Sequence, residues 1–261
     1  MIEQMSGGAS VRETPEKIRQ LIDGLLRGLP WLVYPLANLQ ISRGRIDKRE
    51  RLLNISEFGC APADNVKLGR CNYAGVPVFY AAFNLSTIFS ELRAEPGDLL
   101  HVGIAKVRPA NELFLTAIGE IDYVRRFGRP LVGDTETLKS INSLLDAGGD
   151  IALRSMFVDA YFAEMFAKDS QSGGVYKPTA ALAAHLFEAK SGVVELEGFF
   201  YPSVAHRGGT NVVLSETAAS AKLEWTKFEV HRVVHKFGFG IFGSDIVAST
   251  TKFGDDGAID W

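Results

Sequence analysis

Residues 69–92, GRCNYAGVPVFYAAFNLSTIFSEL, contain the segment that decides the fold. VPVFYAAF, residues 76–83, is rich in β-branched and aromatic residues, which is typical of a buried strand. NLSTIFSEL, residues 84–92, follows directly, and its apolar spacing predicts a short helix behind that strand. Arg70, Tyr80 and Glu91 are spaced by ten and eleven residues along this segment. Their spacing raises the question of whether they belong to one site.

The segments on either side predict more strands and helices. Thr14 and Pro15 open an N-terminal helix by their capping and first-turn preferences. Strands are expected in NLQISRGRID, DLLHVGIAKV, VVELEGFFY, NVVLS and KLEWTKFEVHRVVHKFGF. Helices are expected in DTETLKSINSLLDAGG, IALRSMFVDAYFAEMFAK and PTAALAAHLFEAK. Because no regular βαβ alternation appears, we predict a single α+β domain with a mixed, mainly antiparallel sheet.

The predicted domain boundaries follow from where these elements begin. Residues 1–38 are interpreted as an N-terminal tail, mobile over residues 1–13, followed by a helical extension. Residues 39–261 are interpreted as the domain, with a helical insertion at about residues 110–190.

Composition and charge argue against several classes of protein. The chain has 261 residues, 46% of them hydrophobic, and a formal net charge of -3. That charge argues against broad nucleic-acid binding. No apolar run is long enough for a membrane span, and the first residues lack the apolar core of a signal peptide. The two cysteines form neither a zinc motif nor a disulfide framework. We therefore expect a cytoplasmic protein without a metal.

Two motifs are better explained by structure than by chemistry. GFGIFG, residues 238–243, matches the glycine pattern of dinucleotide-binding loops, but no βαβ unit surrounds it, so a glycine-rich turn at a strand end is preferred. His231 and His235 have the spacing of a helical metal site. Their segment alternates like a strand, so we expect histidines that face solvent.

A second polar stretch, YPSVAHRGGTNVV at residues 201–213, places Ser203 and Asn211 around a glycine pair. By itself it is typical of a polar hairpin loop. Together with GRCNYAGVPVFYAA, the STIFSEL helix and the upstream ISRGRID strand, it resembles the RES domain family. Members of that family carry an arginine, a glutamate and a serine in this order, and the resemblance covers roughly residues 39–237.

The resemblance implies a fold related to ADP-ribosyltransferases and an enzyme that consumes NAD, its substrate. Such an enzyme would be an NAD glycohydrolase, a phosphorylase or an ADP-ribosyltransferase. Known family members include bacterial toxins that pair with helix-turn-helix antitoxins, so an antitoxin of this kind is one expected partner. A second copy of the chain, in a homodimer, is the other. The N-terminal helix and the long helical middle distinguish this chain from the compact toxins.

The chemistry of NAD cleavage suggests a role for each matched residue. Positive charge grows on the ribose in the transition state, and Glu91 is the carboxylate expected to stabilise it. Arginine forks suit the pyrophosphate, which gives roles to Arg43 and Arg70. Arg45 is an alternative to Arg43, because both project from one face of a strand.

The other matched residues are expected to contact the ligand. Tyr80 could stack on nicotinamide or hydrogen-bond the ribose, and it is grouped with Glu91 and Arg70 as catalytic. Ser203 could position the ribose and Asn211 could order its loop. No base near Ser203 marks it as an activated nucleophile.

The sequence is equally compatible with structural roles for these residues. Arg70 and Glu91 could form a plain salt bridge, and Tyr80 could be a core residue with a satisfied hydroxyl. The alternative function is a module that binds NAD or a related nucleotide without turnover. A third is an interaction protein whose helical middle docks a partner.

Overall fold

The computed structural model describes residues 14–168, 176–188, 190, 191 and 194–261. Within them the helices are α1 (Pro15–Leu26), α2 (Leu85–Glu91), α3 (Glu120–Phe127), α4 (Thr135–Ala147), α5 (Gly149–Ala167), α6 (Tyr176–Glu188) and α7 (Glu216–Lys222). The strands are β1 (Tyr34–Leu36), β2 (Gln40–Ile46), β3 (Val78–Ala82), β4 (Leu99–Val107), β5 (Leu113–Ala117), β6 (Lys190–Ser191), β7 (Val194–Glu195), β8 (Gly198–Pro202), β9 (Thr210–Ser215), β10 (Leu223–Gly238), β11 (Ile241–Thr250), β12 (Lys252–Phe253) and β13 (Ile259–Asp260).

The chain forms two compact units, which we call the helical unit and the sheet unit. The helical unit comprises the described part of residues 1–34, 62–76 and 114–202, and the sheet unit comprises residues 35–61, 77–113 and 203–261. In the helical unit, α1 begins at the Thr14 cap and buries Ile18 and Ile22, and β5 pairs in parallel with β8.

The sheet unit contains six antiparallel strands in the order β9-β3-β2-β4-β10-β11. Helix α2 packs on one face, where Ile88 and Phe89 join Ala82, Leu100 and Val102 in a buried cluster. A second cluster, of Phe58, Phe228, Trp225, Leu52 and Ile259 with their neighbours, belongs to the same unit. Asn84 caps α2 by accepting the amide of Thr87 at 2.9 Å.

The predicted fold class is confirmed: helices and strands do not alternate regularly, and the strands are mainly antiparallel with one parallel pair. The predicted domain boundaries and the relation to ADP-ribosyltransferases stay predictions. Residues 1–13, expected to be a mobile tail, lie outside the described residues.

Several elements were not predicted. Strand β5 begins the segment expected to be helical, and α3, α7 and β11 were also missed. The expected glycine-rich turn at a strand end is present at residues 239–240, because β10 ends at Gly238 and β11 begins at Ile241. The expectation of a solvent-facing His231 was wrong: its side chain is buried and bonds Glu229 and Ser244. His235 is exposed, as expected.

Glycine at position 44 sets how closely α2 approaches the sheet. A Cβ added to Gly44 would lie 2.2 Å from the Ile88 methyl carbon Cγ2 and 3.1 Å from a Leu92 methyl. Real carbon atoms do not approach that closely, and the β-branched Ile88 has little freedom to turn away. Glycine at position 44 is therefore required for this packing.

We predict that Gly44→Ala lowers the free energy of unfolding by about 1–3 kcal/mol, because the added methyl overpacks the contact with α2. Urea unfolding followed by circular dichroism measures the change. Gly243→Ala is the matched control, since a Cβ there would lie 3.4 Å or more from its neighbours. Equal unfolding midpoints for the two variants would contradict this account of α2 packing.

Candidate active site

Glu91 is the last residue of α2, and its carboxylate is held by two donors from other parts of the sheet unit. The Ser203 hydroxyl donates to Oε1 at 2.7 Å, and Nδ2 of Asn211 donates to the same oxygen at 2.6 Å. Ser203 and Asn211 are buried, whereas Glu91 is exposed. Among the residues that the structure describes, none donates to Oε2. One carboxylate oxygen is thus fixed and the other is open.

The segment 203–209, which we call the serine loop, is closed by its own backbone. The Ser203 amide donates to the Gly209 carbonyl at 2.8 Å, and the Gly209 amide donates to the His206 carbonyl at 2.9 Å. The His206 amide donates to the Ser203 hydroxyl oxygen at 2.9 Å. The Ser203 hydroxyl therefore accepts one hydrogen bond, from the His206 amide, and donates one, to Glu91. That arrangement orients a carboxylate and does not activate a nucleophile.

The structure explains why each of the two glycines of the serine loop lacks a side chain. Gly208 has a φ of 84°, in the left-handed region that glycine adopts without strain. A Cβ on Gly209 would lie 2.4 Å from Thr87 Oγ1, so any side chain would separate the loop from α2. The glycine pair lets the serine loop approach the helix that carries Glu91.

Tyr80 lies on the same face of the sheet as Asn211. Tyr80 pairs with Val213 and Ala82 pairs with Asn211 in the β3–β9 register. Side chains two residues apart on a strand share a face, and so do directly paired ones. The structure thus brings Glu91, Ser203 and Asn211 into contact and directs Tyr80 to their face. The catalytic and ligand-binding roles of all four stay predictions.

Arg43 projects from the opposite face of the sheet. It follows Ser42, which pairs with Ala82, and its guanidinium carbon lies 4.9 Å from the centre of the Phe79 ring. Its Nη1 donates to the Tyr80 carbonyl at 3.0 Å. Burial lowers the pKa of Arg43 to about 10, so the side chain is still cationic at neutral pH. Arg45 shares this face, and the phosphate-binding role of Arg43 stays a prediction.

Arg70 belongs to the helical unit, where it bonds the C-terminal end of α5. Nη1 donates to the Phe166 carbonyl at 2.7 Å and Nη2 to the Lys168 carbonyl at 3.0 Å. The guanidinium carbon lies 5.5 Å from the centre of the Tyr176 ring. A cation at a helix C-terminus stabilises the unpaired carbonyls there. This is a structural use of Arg70 beside its predicted role in binding and catalysis.

Sequence reasoning gave no role to His206 or Thr87. Nδ1 of His206 lies 2.8 Å from Thr87 Oγ1. Thr87 is fully buried one turn before Glu91 on α2. The only signal in the sequence was the position of His206 beside the glycine pair, which a polar loop explains equally well.

We predict that Asn211→Asp destabilises the protein at pH 7, because it replaces a donor to Glu91 with a second negative charge. The loss should be about 1–3 kcal/mol and smaller at pH 4, where protonation of one carboxyl restores a hydrogen bond. Thermal unfolding at both pH values measures it. Asn65→Asp, an equal charge change at an exposed position, is the control. A loss independent of pH would contradict the Glu91 contact.

The family model described as the RES domain matches residues 45–232, a range that includes Arg70, Tyr80, Glu91, Ser203 and Asn211 and begins two residues after Arg43. No curated protein and no solved structure matches the chain. In the described residues, no group of three or more His, Cys, Asp or Glu could hold a metal, and no helix is long and apolar enough to cross a membrane. The family match spans well over half of the chain, which therefore belongs to the RES domain family.

Proposed function

We propose that the protein consumes NAD by cleaving the bond between nicotinamide and ribose. The observation that carries the proposal is the exposed carboxylate of Glu91, which has Oε1 fixed by Ser203 and Asn211 and Oε2 open. Membership of the RES domain family supports an NAD-related activity in general terms. The chemical class beyond that is our inference.

The proposed reaction needs a negative charge beside the ribose. When the bond breaks, its electron pair leaves with the pyridine nitrogen, so nicotinamide departs neutral and the ribose carbon becomes positive. A carboxylate near that carbon stabilises the charge and can accept a hydrogen bond from a ribose hydroxyl. Oε2 of Glu91 is the free oxygen for this contact. Because Ser203 and Asn211 hold Oε1, the carboxylate need not reorganise as the charge develops.

Other residues are proposed to contact the ligand, and Tyr80 and Arg70 stay grouped with Glu91 as proposed catalytic residues. Tyr80 shares the face of Asn211 and could contact the nicotinamide ring or the ribose. Arg43 and Arg70 remain proposed ligands for the pyrophosphate, by virtue of their charge. For Arg43 the proposal requires the pyrophosphate to reach the face of the sheet opposite Tyr80. Because the Ser203 hydroxyl donates its hydrogen bond to Glu91, Ser203 is not proposed as the nucleophile. The group that receives the ADP-ribose is proposed to be water, phosphate or a protein side chain.

The biological setting is proposed from the family resemblance alone. A protein that destroys NAD harms its own cell unless it is controlled, which fits a toxin with a helix-turn-helix antitoxin. Co-purification of such a small protein with the expressed chain would support that setting. A free-standing enzyme would purify alone.

We predict that the purified protein releases nicotinamide from NAD and that Glu91→Gln slows release about 100-fold or more with little change in KM. Glutamine keeps an oxygen that Ser203 and Asn211 can bond but removes the charge that the transition state requires. Chromatography measures nicotinamide, and mass spectrometry distinguishes free ADP-ribose from its phosphorylated or protein-bound forms.

The control is Glu95→Gln, which removes an exposed carboxylate four residues further along the chain. It should leave release unchanged. Tight NAD binding by calorimetry with intact ligand after long incubation, with and without phosphate, would replace this proposal with the non-catalytic binding module.

A further inference from the structure

His206 connects three parts of the sheet unit. Its Nδ1 lies 2.8 Å from Thr87 Oγ1 on α2. Its amide bonds the Ser203 hydroxyl oxygen within the serine loop. Its ring lies against Gly240, in the turn between β10 and β11, where an added Cβ would lie 2.3 Å from Cδ2. None of these contacts was expected from the sequence.

The hydrogen bonds around Thr87 determine which nitrogen of His206 carries the proton. The Thr87 amide and hydroxyl both donate to Oδ1 of Asn84, each at 2.9 Å. Because the single hydroxyl proton of Thr87 is used on Asn84, its oxygen must accept from His206. The proton is therefore on Nδ1 of His206, and the bond persists in both the neutral and the charged imidazole.

This bond attaches the serine loop to the helix that carries Glu91. Thr87 and Glu91 are four residues apart on α2, so they lie on the same side of the helix. The loop therefore meets α2 at two points one turn apart: His206 on Thr87 and Ser203 on Glu91. The His206–Thr87 contact therefore restrains the serine loop, and the Ser203 hydroxyl of that loop makes the contact with Glu91.

We propose that His206 is a positioning residue, which holds the serine loop on α2 so that Ser203 orients Oε1 of Glu91. The inference rests on the proposed NAD cleavage for its kinetic consequence. Its geometric content concerns only the sheet unit. His206 acts here through its Nδ1–H donor and takes no proton from the substrate.

The kinetic test compares two substitutions. His206→Ala removes the donor and should lower kcat about 3- to 10-fold with little change in KM, the effect of losing one positioning hydrogen bond. His206→Asn places an amide NH near the position of Nδ1, so it can still donate to Thr87 and should keep kcat within about twofold of wild type. It should also keep the wild-type pH profile, which an acid or base role of His206 would alter. His235→Ala, at an exposed histidine, is the matched control.

A double variant tests whether Thr87 is the partner. Thr87→Val removes the accepting oxygen and should reduce kcat as much as His206→Ala does. Since both changes break the same bond, the double variant should be no slower than either single one. Additive losses, or an asparagine variant as slow as the alanine variant, would overturn the proposal.

A readout without NAD separates this proposal from the proposed function. The Ser203 and Gly209 amides close the serine loop, so their hydrogen exchange should accelerate in His206→Ala and Thr87→Val but not in His206→Asn. If the wild-type protein releases no nicotinamide, NAD cleavage is wrong, and exchange alone decides the role of His206. Unchanged exchange in His206→Ala would overturn that role.

Discussion

The packing of α2 against the sheet at Gly44 is the constraint on which the candidate site depends. The helix can lie this close only where β2 has no side chain, because Ile88 and Leu92 occupy the space of a Cβ. The same helix carries Thr87 and Glu91 toward the serine loop. The loop in turn comes close because Gly209 also lacks a side chain. The absence of a side chain at Gly44 and at Gly209 thus determines how closely α2 approaches the sheet and the serine loop, and so where Glu91 meets its two donors.

Glu91 lies at an electrostatically unfavourable position for a carboxylate, and two hydrogen-bond donors offset part of that cost. A carboxylate at the C-terminal end of a helix faces the negative end of the helix dipole, which is unfavourable. Ser203 and Asn211 offset this by donating to one oxygen, and both are buried although Glu91 is exposed. No arginine or lysine of the described residues pairs with the carboxylate. Within the helical unit Arg70 donates to the carbonyls of Phe166 and Lys168.

The sequence predicted the elements that have strong periodicity. The strand around Tyr80, the helix ending at Glu91 and the loop with Ser203 all formed where their patterns indicated. Two short elements were missed: β5, LFLTA, lies inside the segment that was expected to be helical, and α7, ETAASAK, has no apolar residue larger than alanine to mark a helical period. His231 was predicted to face solvent because the alternation of side chains along a strand distinguishes two faces but does not show whether one or both of them are buried.

Contacts between distant residues lay beyond any pattern. The bond of Asn211 to Glu91 spans 120 residues, and that of His206 to Thr87 spans 119. Such pairs depend on the register of β9 on β3 and on the depth of α2, which result from packing of the whole unit. The family resemblance included Asn211 among the site residues but gave it the role of ordering its own loop. It gave no indication that His206 would contact the same helix as Ser203.

Strand alternation also divides the polar residues of the motif between two faces of the sheet. Tyr80 and Asn211 lie on one face, whereas Arg43 lies on the other with Phe79. Strands β2 and β3 share a single registered pair, Ser42 with Ala82. Arg43 adds a bond between these strands by donating to the Tyr80 carbonyl. Whatever ligand its charge attracts, Arg43 already restrains the backbone of Tyr80. A contribution of Arg43 to the Glu91 face can therefore pass through the position of β3, without direct contact across the sheet.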